Sequence, residues 1–113
     1  MRRIFLTIAA AGIAFCLAAV SLPSRSEAQG DTAKVFKTNC VLCHAANGSG
    51  DSPSGKALKA KDLRSAEVQG KSDAELAEFI TQGKGKMPAF GKKLSADAIK
   101  SLVAYIRELA KQK

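Results

Sequence analysis

The run Cys40-Val41-Leu42-Cys43-His44 constrains this chain more than any other stretch. Thiols at i and i+3 share one helical turn, so each can bond a vinyl carbon of the same porphyrin, and the adjacent histidine then sits beneath the iron. The spacing is the attachment signal for a c-type haem. His44 is the chain's only histidine, so ligation by two histidines of one chain is ruled out. Two other chemistries use the same residues. A redox-active dithiol normally stands at a strand-to-helix junction, and no β-rich run precedes Cys40. A structural zinc site takes about four Cys/His ligands, and beyond residue 28 the chain offers only Cys40, Cys43 and His44. Haem attachment is the reading these residues favour.

Residues 1–28 read as an export signal rather than as part of a fold. Arg2 and Arg3 start it, an apolar run extends from Ile4 to about Leu22, and Pro23 breaks the run. Ser26-Glu27-Ala28 then offers small residues at the two positions a signal peptidase reads. Cleavage after Ala28 and a periplasmic location are expected. The alternative is a retained anchor, because the run is just long enough to span a bilayer. Cys16 lies inside this segment, and the bulky Phe15 before it argues against a lipoprotein cysteine. Residues 29–113 form one small domain. Domains of this size have marginal cores and often enlist a cofactor. A tethered haem would supply an apolar plate for the core to wrap, in a chain without tryptophan.

Charge narrows the partners. Arg2, Arg3 and Arg25 against Glu27 give residues 1–28 a charge of +2 out of the chain's formal +8, leaving +6 for the remainder before haem. A basic surface suits nucleic acid, anionic lipid or an acidic protein. Export and the lack of a recognition motif argue against nucleic acid. An acidic redox partner fits best, with plain solubility as the alternative use of the lysines. No stable membrane insertion is expected after signal cleavage, and the protein is expected to be a monomer.

The remaining pattern is helical. A first helix is expected from near Asp31 to about Cys40, capped by Asp31 or Thr32. Ala33, Val35 and Phe36 form its apolar side, and Phe36 lies one turn before Cys40. Residues 47–55 are a dense cluster of turn formers and read as a loop. Lys56 to Ala60 adds a short helix, with Leu58 and Leu63 expected to point inward. Ser72 and Glu75 form a capping box ahead of an apolar face of Leu76, Phe79 and Ile80, and Gly83 marks the stop. The last helix has Ser95 as cap and Asp97 in its first turn, with Leu94 and Ile99 spaced as a hydrophobic staple. Its stripe of Ile99, Leu102, Val103, Ile106 and Leu109 should cross the first helix. Tyr105 suits either a polar contact near the haem or half-buried packing.

Met87 is the only methionine outside the signal segment. It sits in the polar, Gly-rich stretch 83–91, an odd place for a core filler. Pro88 biases it toward extended backbone, and the flanking glycines permit tight turns. Met87 is therefore the expected sixth iron ligand. An open site, or a lysine such as Lys84 or Lys86, is the alternative. His/Met ligation fills both axial positions and favours electron transfer over catalysis. No constellation of acid, base and nucleophile accompanies it, so no enzymatic activity is expected.

Together, Phe36, the Cys40/Cys43/His44 motif, Met87-Pro88 and the closing amphipathic helix resemble a class I c-type cytochrome of the short periplasmic, monohaem kind. The resemblance covers nearly all of residues 29–113. It implies a small all-α fold of three to four helices around one covalent haem c, with one haem edge exposed, and a one-electron shuttle between periplasmic or membrane redox proteins. It also implies that a loop proline, here Pro53, gives its backbone carbonyl to the haem histidine. The absence of tryptophan leaves the residues that bond the haem propionates unassigned. Lys84, Lys86, Lys92 and Lys93 would steer acidic partners if the Met87 loop borders the exposed edge. Two other functions use the same residues: a cytochrome subunit of a dehydrogenase or oxidase, and a haem-based ligand sensor in which Met87 does not hold the iron.

Overall fold

Among the described residues, six helical segments are present: α1 (Arg25–Asn39), α2 (Val41–His44), α3 (Pro53–Leu58), α4 (Ala66–Gln69), α5 (Asp73–Gln82) and α6 (Ala96–Lys111). They come from a computed structural model that describes residues 19–22 and 25–112. Among the described residues there is no strand, only an isolated bridge between Lys84 and Met87. The three longer helices correspond to those read from the sequence. The short ones arrange the loops around them.

Helix α6 is the spine. Ser95 Oγ accepts a hydrogen bond from Ala98 N at 3.1 Å and starts the helix, and every member of the stripe from Ile99 to Leu109 is buried. Burial of each such side chain is worth about 1.5–3 kcal/mol, so this one face organises the core. Both α1 and α5 pack on it. At the α1–α6 crossing, Phe36 is only 2% exposed and its ring lies 5.0 Å from that of Tyr105, tilted by 46°. Tyr105 thus takes the packing role.

Helix α1 begins at Arg25, ahead of the start expected near Asp31, and passes through Asp31 and Thr32 without using either as a cap. The good helix formers Glu27, Ala28 and Gln29 extend it, and Gly30 at about 1 kcal/mol against alanine is too small a penalty to stop it. Most of the expected export signal, Cys16 included, lies outside the described residues, as does Lys113. Among the described residues, no helix is long and apolar enough to cross a membrane.

Helix α5 carries the expected capping box. Ser72 Oγ accepts from Glu75 N at 3.1 Å, and Ser72 N donates to Glu75 Oε2 at 2.7 Å. That backbone donor holds the Glu75 carboxyl below its usual range. A carboxyl whose folded pKa is lowered stabilises the fold above its unfolded value and loses the effect as pH falls through the folded one. The stability gap between the native protein and Glu75→Ala should therefore be full at pH 7 and shrink on acidification below about pH 4. Melting temperatures recorded at both pH values check this, and an unchanged gap would refute it.

Between α2 and α5 the chain departs from expectation. Helix α3 spans Pro53–Leu58 rather than Lys56 to Ala60 and ends with Lys59 turned left-handed (φ 55°), and Leu58 faces the same cleft as Cys40 and His44. Leu63 does pack against the core. Helix α4 is an unexpected single turn, capped by Ser65 Oγ accepting from Val68 N at 3.3 Å.

Candidate functional site

The thiols are set by a break in a helix. Helix α1 ends at Asn39, and Cys40 (φ −120°, ψ −33°) caps α2. The hydrogen-bond ladder nevertheless continues through Cys40 N to Phe36 O at 2.8 Å and His44 N to Cys40 O at 2.9 Å. Cys40, Cys43 and His44 therefore occupy a single turn placed on the core by Phe36. The loop after the motif folds back on it. Gly50 N donates to His44 O at 2.8 Å, and Ser52 Oγ donates to Leu42 O at 2.7 Å. These bonds satisfy carbonyls that the end of α2 would otherwise leave unpaired.

Met87 arrives from a separate part of the chain. Lys84 N donates to Met87 O at 3.1 Å and Met87 N to Lys84 O at 3.0 Å, closing a tight turn in which Gly85 has φ 58°. Phe90 N and Gly91 N then bond the carbonyls of Ile80 and Thr81 at the end of α5, so the loop is pinned to the helix before it. Gly83 also needs its left-handed φ of 69°, and a Cβ there would strike the backbone of Met87, Pro88 and Ala89.

Cys40, Cys43, His44 and Met87 all line one cleft of about 680 Å³, within the usual range for a small-molecule cofactor site. Its walls include the buried Phe36, Leu76, Ile80, Leu102 and Ile106. Two thiols, an imidazole and a thioether in one apolar cleft are the donor set that a thioether-linked, doubly ligated haem requires, so the residues present fit that group. Burial pushes the Cys40 thiol up to about 11, away from the depressed value of a reactive dithiol. The family of cbb3-type cytochrome c oxidase subunit III matches residues 27–106, a span that takes in the whole cleft.

The chain belongs to the class I c-type cytochromes.

Similarity to individual members supports the assignment. The chain is 34% identical to the cytochrome c6 of Gloeothece citriformis over 113 residues, covering 99% of this chain and 98% of that one. It is 37% identical over 90 residues to the cbb3-type oxidase subunit FixP of Azorhizobium caulinodans, covering 73% of this chain but only 29% of the larger protein. Among solved structures, the KustC0563 c-type cytochrome superposes with a TM-score of 0.64 at 30% identity, covering 69% of this chain and 95% of that one. This cytochrome is an electron carrier with one covalently attached haem c, and its small all-α fold is that of the family.

The carbonyl expected to orient the histidine is not the one found. His44 Nδ1 lies 3.0 Å from Lys61 O. Pro53 instead opens α3 as its first residue, away from the cleft lining. The physical reason is the left-handed turn at Lys59, which brings the following segment back over the motif, while Ser52 and Pro53 are committed to starting α3. A carbonyl only accepts, so Nδ1 carries the proton and Nε2 is left with a free lone pair, the tautomer a metal needs. Sequence reasoning missed Lys61 because a backbone acceptor has no side-chain signature. It also missed Gly55, which is buried against the Cys43 carbonyl.

Proposed function

We propose that Cys40 and Cys43 hold the haem through two thioethers, that His44 and Met87 are its axial ligands, and that the protein is an exported, monomeric one-electron carrier of the periplasm serving acidic redox partners. The observation that carries this reading is the convergence of two thiols, one imidazole and one thioether from separate chain segments on a single apolar cleft. Cys40 and Cys43 would each hold the haem through a thioether, the S–H adding across one vinyl group with no net oxidation. When bound, the haem supplies a one-electron ferric/ferrous couple. His44 offers Nε2 while Lys61 O holds its other nitrogen. Met87 offers a soft sulfur that favours the reduced state and raises the potential. With His44 and Met87 both holding the iron, small molecules would be kept from it. The apolar walls exclude water and favour the less charged, reduced form.

Lysines frame the cleft. Lys59, Lys61, Lys71, Lys84 and Lys86 line it against a single acidic residue, Glu67. Lys71 and Lys84 both sit over the Phe79 ring, at 5.4 and 5.2 Å, which holds two charges at one edge. Lys92 and Lys93 are exposed just beyond. This supports docking of an acidic partner around the cleft mouth. Charge reversal of Lys84 and Lys86 should slow reduction by an acidic partner about ten-fold or more at low ionic strength and flatten its salt dependence. Stopped-flow rates across a salt series test this, and rates equal to those of the native protein at low salt would remove the patch from the mechanism.

The deciding experiment is a visible spectrum of the purified protein, ferric and then reduced, beside a haem-stained denaturing gel. Haem that survives denaturation, together with the red-end ferric iron–thioether band, supports the assignment. Covalent haem without that band would remove Met87. The likeness to FixP favours one further reading, a subunit of an oxidase assembly. A subunit would co-elute with a catalytic chain on gel filtration of the native complex, whereas a free carrier elutes alone.

A further inference from the structure

We propose that Arg107 and Gln69 are positioning residues for the axial histidine and tune the reduction potential through the backbone that holds it. The inference rests on His44 as iron ligand. Its acceptor, Lys61 O, belongs to a segment closed by two crosslinks of equal span. Lys61 Nζ pairs with Glu67 Oε1 at 2.9 Å, and Gln69 Nε2 donates to Leu63 O at 2.7 Å. Arg107 on α6 then locks this loop to the core. Its Nη1 donates to Gln69 O at 3.0 Å and to Gln69 Oε1 at 3.1 Å, and its Nη2 to Lys71 O at 2.6 Å and Asp73 Oδ1 at 2.8 Å. Binding Oε1 turns the amide so that Nε2 faces Leu63 O. Leu63 N in turn donates to Gly48 O at 2.7 Å, in the loop that follows the haem motif. The guanidinium thus fixes the height of the Lys61 carbonyl over His44.

The consequence is electronic. A histidine that donates its free N–H to a well-placed carbonyl is a more basic ligand, and a more basic ligand favours ferric iron. Loosening the clamp weakens that bond, so the potential should rise.

The test uses the haem-loaded protein with Gln69→Leu, Gln69→Glu, Arg107→Met and, as a destabilised control away from the cleft, Ile99→Val. Gln69→Glu keeps an acceptor for Arg107 and loses the donor to Leu63 O, which separates clamp from contact. Two readouts are taken: the potential, and the exchange rate of the His44 Nδ1 proton in the ferrous protein by NMR. In Gln69→Leu, which keeps the net charge, the potential should rise, and in all three clamp variants exchange should speed up roughly ten-fold, the restraint lost with one hydrogen bond. The control should show neither. Clamp variants that melt earlier yet keep the native potential and exchange rate would overturn the proposal. If the native ferrous protein lacks ring-current-shifted His44 resonances, the axial assignment itself fails, a separate outcome.

Discussion

Met87→Ala is expected to lower the reduction potential by on the order of 0.1 V, within the roughly 0.8 V that axial ligation spans. The argument starts from the loop. Met87 is half-buried against the core and fixed by a reciprocal pair of backbone bonds with Lys84. Removing its sulfur therefore leaves a place that the backbone does not move to fill. Alanine cannot ligate, so added imidazole or carbon monoxide should bind readily where the native protein resists. Loss of the red-end ferric band should accompany the change. Redox titration and ligand titration measure the two effects independently, and a variant with the native spectrum would refute the axial role. The fold should survive, because neither reciprocal bond involves the side chain.

Gly55→Ala should be more damaging than any single lysine change. Gly55 is buried where α3 meets the haem motif, and a Cβ there would collide with the carbonyls of Cys43 and Gly50 and stand 2.9 Å from Ser52 Oγ. Two of these three obstacles are backbone, so no rotamer relieves the clash. Gly55 N also donates to Ser52 Oγ at 3.0 Å, the hydroxyl that caps α3 and bonds the carbonyl of Leu42. Shifting Gly55 therefore disturbs the turn that presents both thiols. Overpacking of this kind costs about 1–3 kcal/mol or more, which in a domain of this size lowers the melting temperature by roughly 5–20 °C. The yield of covalently attached haem should fall with it. Calorimetry and a haem-stained gel test the two effects, and a variant with native stability and native haem content would show that the motif does not depend on this contact.

Much of the fold was legible because its signals are local. Ser72 with Glu75, and Ser95 ahead of the stripe from Ile99 to Leu109, are capping chemistry and 3.6-residue periodicity. Both depend on side chains a few residues apart, and both elements formed as read. The start of α1 was not legible, because good helix formers run continuously across Asp31 and Thr32 and a possible cap need not be used. The bounds of α3 were not legible for a related reason: the turn formers of 47–55 include Ser52, which caps the helix, and Pro53, which opens it, and the end is set by the left-handed turn at Lys59.

The site divides in the same way. By itself the sequence determined the chemical inventory: two thiols and an imidazole at attachment spacing, one methionine beside a proline, and a surplus of lysine. Those are properties of residue type and spacing, and they sufficed to name the cofactor. Only the tertiary structure decided which groups meet across distance. It placed Met87 on the same cleft as His44. It chose the carbonyl of Lys61 rather than that of Pro53 as the histidine's acceptor, and it drew Arg107 across to Gln69, Lys71 and Asp73. Every residue but proline carries the same backbone donor and acceptor, so residue identity says nothing about which carbonyl will be used. That choice is made by the path of the chain.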